Sequence, residues 1–119
     1  MNENAQIFAV SVIVFREDSA WTALALEMDI RGYGPTPEAA VEDVLAMLSA
    51  QVRFAVQMGH PESVWHPADQ RYWDEFEEAR RRRFVAGLSG SEMPSEPFAD
   101  MVPFSLGTDP QNEWVAAGA

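Results

Sequence analysis

Apolar and polar positions change their spacing partway along this chain, and the change separates two kinds of structure. Residues 7–15, IFAVSVIVF, are apolar on both alternating sets of positions and rich in β-branched and aromatic residues, which predicts a central or doubly covered strand. REDSA follows with charged and small turn residues. WTALALEM then sets Thr22, Leu24, Leu26 and Met28 on one side and Trp21, Ala23, Ala25 and Glu27 on the other, so the two runs form a β-hairpin. DIRGYG supplies a short third strand whose glycines mark a bend toward the next element.

Beyond the Gly-Pro-Thr-Pro corner the apolar spacing becomes three and four. Thr36 is placed as a helix N-cap and Pro37 at the first helical position. Glu38, Glu42 and Asp43 complement the positive end of the dipole, and Gly59 stands past the end, which predicts a helix at about 37–58. Val41, Val44, Leu45, Leu48, Val52, Ala55 and Val56 share its buried face. Burying the larger of these contributes on the order of 10 kcal/mol before chain entropy is subtracted. Met47, Phe54 and Met58 form a second row that needs a cover, either another helix or a partner.

HPADQRYWDEFEEARRRRFVAGL predicts a second helix at about 67–86, with Ala68, Tyr72, Phe76 and Ala79 on one stripe and Trp73 beside it. That helix is the expected cover for the methionine row. From Ser89 onward four prolines, three glycines, five acids and no base predict an irregular acidic tail. Phe98, Met101, Val102, Phe104, Leu106 and Trp114 are its spaced apolar anchors. The fold class expected is therefore α+β: one domain over residues 1–88, with about three antiparallel strands packed by the first helix and the second alongside. The tail at 89–119 docks or adds a strand. Apolar residues on both faces of 7–15 leave a surface to cover, which favours self-association, a homodimer first.

At 119 residues the chain has room for one core, and 47% hydrophobic and 23% charged residues are close to the globular average. The absence of cysteine excludes disulfides, thiol nucleophiles and Cys-rich zinc sites. No basic leader opens the chain, and no apolar run approaches the roughly 18 residues that span a bilayer, so no membrane association is expected and the expected location is cytoplasmic. Nineteen acids against eight bases, all arginine, give a net charge of −11. Such a field repels phosphate backbones and favours basic protein partners.

Catalytic motifs are thin. His60, His66 and Asp69 are metal-capable residue types, but Pro61 and Pro67 interrupt the stretch and VWHPAD reads as a helix start. GxSxG, P-loop and dinucleotide patterns are missing. Glu17, Asp18, Glu27 and Asp29 could form an acid/base set, although hairpin turns and strand ends are commonly acidic. The run Arg80–Arg83 follows Glu77 and Glu78 in the order that stabilises a helix end, which explains it better than a phosphate-binding patch. No catalytic residue, metal or cofactor is expected.

The string Leu26-Glu27-x-Asp29-Ile30, followed by Gly34-x-Thr36-x-Glu38-x-Ala40 and an amphipathic helix, resembles the HicB-like family of antitoxin-type modules over roughly residues 8–58. The motif residues are structural: Gly34 for the bend, Thr36 for the cap, Ala40 for close helix approach. The resemblance implies a small sheet with a helix laid on it. It also implies a non-enzymatic protein that binds and inhibits a basic partner such as a HicA-like mRNA-cleaving toxin. Phe54, Met58, Phe98, Met101, Phe104 and Trp114 are the candidate partner-binding residues. Residues 59–119 lack the C-terminal DNA-binding segment of full antitoxins, which argues against direct DNA binding. Two alternatives remain open at this point: an acidic nucleic-acid mimic that inhibits a nuclease or effector complex, and a metal-dependent enzyme using His60, His66 and Asp69.

Overall fold

The computed structural model describes residues 6–90, 97–106 and 114–115, with side chains described at 8–90 and 97–103. Its class is α+β. The first run of β-branched residues forms β1 (Gln6–Glu17), which turns through Asp18 and Ser19 into β2 (Ala20–Ala25) and continues to β3 (Ile30–Gly34). Two helices follow, α1 (Pro37–Gln57) and α2 (Gln70–Ser89), separated by a short 3-10 turn at Pro61–Val64. The chain then returns to the sheet as β4 (Phe98–Leu106) and β5 (Trp114–Val115). All pairings are antiparallel and the order is β3-β2-β1-β4-β5.

Among the described residues five strands stand where about three are expected, and both additional strands come from the tail. β4 pairs with β1 from Gln6↔Leu106 to Val14↔Phe98. Its prolines and lack of bases predict an irregular tail with an added strand as the open alternative, and that strand is what forms, because β1 offers it a full edge. Pro103 is tolerated because, among the described residues, β4 has a neighbour on only one side there, β5 pairing with Ser105 and Leu106.

Alternation along β1 divides the core in two. Val10, Val12 and Val14 join Ala23, Ala25, Ala40, Val44, Leu45 and Leu48 on the α1 side. Ile13 joins Leu24, Leu26, Ala68, Phe76, Ala79 and Ala99 on the α2 side. The two helices therefore cover opposite faces of the sheet, which corrects the expectation that the second lies alongside the first and covers the methionine row. It also removes the reason for expecting a second copy over β1, because the chain covers both faces itself. The hydroxyl of Tyr72 on α2 accepts hydrogen bonds from Arg31 on β3 (3.0 Å) and from Arg71 (2.9 Å), fixing the helix against this face.

α1 begins as its sequence dictates. Thr36 has extended backbone and its Oγ1 accepts from the N–H of Ala39 at 3.1 Å, with Pro37 in the first turn. Gly32 and Gly34, by contrast, do not serve a bend: neither has a positive φ. They let α1 rest directly on β3. A Cβ at Gly32 would lie 2.3 Å from Val44 N and 2.7 Å from Ala40 O, and one at Gly34 would lie 2.6 Å from Ala39 Cβ.

α2 runs 70–89 rather than 67–86. His66 and Ala68 donate their N–H groups to the carbonyls of Glu27 (3.0 Å) and Leu26 (2.8 Å), so this stretch is held beside the end of β2 and helix starts only after Asp69, whose side chain accepts from Arg71 N. It passes through Gly87 and ends at Gly90, whose φ of 74° is left-handed.

Candidate functional site

The acidic residues that invite a catalytic reading have structural tasks. Beyond Ala25 the chain leaves the β1 ladder. Leu26 N–H still donates to Ser11 O at 2.9 Å, but the carbonyls of Leu26 and Glu27 turn to Ala68 and His66. The N–H of Ser11 thereby loses a ladder partner, and the Glu27 carboxylate takes it at 2.8 Å while also accepting from Ser11 Oγ at 2.9 Å. Ser11 is 5% exposed, so both donors are cut off from water. Glu27 is a side-chain replacement for a missing strand neighbour. Asp18 and Asp29 hold left-handed turns at φ 58° and 54°, a conformation that short polar side chains tolerate, and Glu17 Oε1 accepts from buried Thr22 Oγ1 at 3.2 Å.

The candidate metal ligands do not converge. His60 Nδ1 lies 3.5 Å from Glu62 at the surface, His66 is exposed and engaged through its backbone, and Asp69 caps α2. Among the described residues no cluster of three or more His, Asp and Glu is placed to hold a metal ion. No helix among them is long and apolar enough to cross a membrane.

The fold also leaves large apolar side chains outward. Met47, Phe54 and Met58, seven and four residues apart on α1, form one exposed row, with Phe54 63% accessible. Asp43 lies one turn before Met47, and its carboxylate accepts the N–H of Tyr33 at 2.9 Å, closing the outer edge of β3. The other candidate contacts do not join this row. Phe98 stands on the α1 side of the sheet, stacked on Trp21 with centroids 5.9 Å apart. Met101 stands on the α2 side, its Sδ 3.3 Å from Ser11 Oγ. An odd spacing of three puts them on opposite faces, which splits the single apolar contact set expected from the tail. Phe104 and Trp114 lie in β4 and β5, and their side chains fall outside the described residues.

A second apolar group escaped the sequence reading. Phe84, Val85 and Leu88 project from the last turns of α2, with Phe84 67% and Leu88 73% exposed. Their signal was present: the pair 84/88 lies one turn apart, well around the helix from Phe76 and Ala79. Three of the four neighbouring arginines are already engaged, and Arg82 turns into the groove beside β4. Arg81 meets Glu78 at 2.9 Å and Arg80 meets Glu77 at 3.9 Å, while Arg83 reaches the carbonyl of Ala99 and the carboxylate of Asp100. The hydrogen bond from Arg81 holds the Glu78 carboxyl below its usual range. An open groove of about 450 Å³ between α2 and the start of β4 is lined by Phe15, Asp74, Glu75, Glu78, Arg82 and Pro97. It contains carboxylates and one guanidinium but no nucleophile paired with a base.

No family model matches the chain, and neither a curated protein nor a solved structure matches it. The HicB-like resemblance therefore rests on the motif residues alone. In the fold those residues shape the β3–α1 junction: Thr36 caps, buried Ala40 packs, and Gly34 admits the helix backbone.

Proposed function

We propose that the chain is a non-enzymatic, HicB-like antitoxin-type module that binds and inhibits a basic protein such as a HicA-like mRNA-cleaving toxin. The observation that carries this reading is the uncovered Met47–Phe54–Met58 row on α1. It lies one turn beyond Asp43, in a chain of net charge −11 whose sheet is already covered on both faces. An apolar row on a strongly acidic chain suits an amphipathic basic segment: the net charge speeds encounter, and the buried apolar contact slows release. The chain works without DNA in this reading. A nucleic-acid mimic would need one continuous anionic face. Here Glu38, Glu42 and Asp43 sit on α1, while Asp74, Glu75, Glu77 and Glu78 sit on α2 across the sheet and next to arginines. The metal-dependent alternative finds His60, His66 and Asp69 apart.

The test uses purified full chain with a HicA-like toxin, measuring affinity and RNA cleavage. Binding and inhibition are expected. Phe54→Glu should weaken the complex at least tenfold, about 1.4 kcal/mol, and added salt should lower the association rate. Failure to bind such toxins, or binding untouched by both Phe54→Glu and Met58→Glu, defeats the proposal.

A further inference from the structure

We propose that the solvent face of α2 is a twofold homodimer interface, its occupant the α2 of a second copy of this chain running antiparallel. This inference is independent of toxin binding, which is placed on α1 across the sheet. Three observations carry it. First, Phe84, Val85 and Leu88 are exposed on the helix away from the face that Phe76 and Ala79 bury, so the core does not account for them. Second, the helix is segregated in charge. Asp74, Glu75, Glu77 and Glu78 occupy its first half, and Arg80, Arg81, Arg82 and Arg83 follow. Third, half of the eight bases of the chain are gathered there. With Arg71, α2 carries five arginines against four carboxylates, while the whole chain stands at −11.

Those charges select the occupant. A basic protein would meet the arginines beside Phe84 and Leu88, and an acidic one would meet the carboxylates a turn or two earlier. A second α2, reversed, meets each half with its opposite. This is the self-complementarity that a twofold interface requires. An axis crossing at residue 79 sets Glu77 across from Arg81 of the second copy and Trp73 across from Val85, since equal numbers of residues separate each from the axis at 1.5 Å per residue. Phe84 and Leu88 then cover the opening turns of the facing helix. Two molecules of like net charge associate only where the local field does not oppose them, and α2 is nearly neutral.

The experiment is sedimentation equilibrium of the full chain over about a hundredfold range of concentration, paired with thermal unfolding. A reversible dimer is expected. Glu77→Arg and Arg81→Glu should each weaken it at least about tenfold, and combining the two substitutions should restore it, because the facing positions then carry opposite charges again, in exchanged order. Leu88→Ser should also dissociate the dimer while leaving the melting of the dilute monomer unchanged. A chain that remains monomeric throughout overturns the proposal, as does a dimer indifferent to Leu88→Ser and to both charge reversals. Loss of monomer stability in Leu88→Ser overturns it as well, because another part of the same chain would then be covering this face.

Discussion

Replacing Gly32 with alanine is expected to destabilise the fold by about 3 kcal/mol or more, lowering the melting temperature by about 10 °C. The new methyl group would sit 2.3 Å from Val44 N, 2.7 Å from Ala40 O and 2.8 Å from Val44 Cα. All three are backbone atoms of one helix turn, so no side chain can rotate aside. Relief requires α1 to lift from β3, and lifting it loosens Val44, Leu45 and Leu48, which pack under it. Gly87→Ala is the internal contrast. Nothing lies within 4 Å of a Cβ at Gly87, inside α2, so alanine there should stabilise by about 0.5–1 kcal/mol through lower chain entropy alone. Denaturant unfolding of the two variants checks both signs.

Local chemistry made the first half of the fold legible. The hairpin follows from alternation, α1 from Thr36, Pro37 and the three-and-four spacing, and the stripe Ala68, Tyr72, Phe76, Ala79 does face the core. What the sequence concealed was non-local. Doubly apolar β1 signalled two covers without saying that α1 and α2 supply one each. The prolines around β4 outweighed its alternation because single-segment reasoning cannot see that β1 has a vacant edge waiting for it. Met28 illustrates the same limit. Strict alternation puts it with Leu24 and Leu26, but the chain leaves β2 after Ala25 and Met28 ends in the core on the α1 side. The candidate site was legible to the same degree. The Met47–Phe54–Met58 row was visible as a surplus apolar stripe, whereas its standing uncovered depends on which face of the sheet α2 chose.

That choice also bears on function. A domain that covers its sheet twice has no further need of outward apolar rows, so those on α1 and α2 require another account, and they face away from one another in different electrostatic settings. The α1 row lies one turn beyond Asp43, and the α2 row adjoins arginines. Under the two proposals above, one chain would pair with itself through α2 while α1 holds a basic partner.

Glu27→Ala is the second large effect expected, about 2–4 kcal/mol of stability, and its pattern separates scaffold from catalyst. Alanine would strand the N–H of Ser11 in the sheet interior, because the Leu26 carbonyl that would otherwise serve it is bound to Ala68. The Ser11 hydroxyl has a weak fallback acceptor in Met101 Sδ, 3.3 Å away, so most of the loss falls on the backbone donor. Glu27→Gln retains an acceptor for that N–H and should cost about 1 kcal/mol. Ser11→Ala in the Glu27→Ala background should add little, since the hydroxyl has already lost its carboxylate. An acid/base group would order these variants differently, with glutamine as damaging as alanine to activity and neither harmful to stability. Urea unfolding of the three variants distinguishes the two, and a Glu27→Ala protein as stable as the parent would refute the scaffold role.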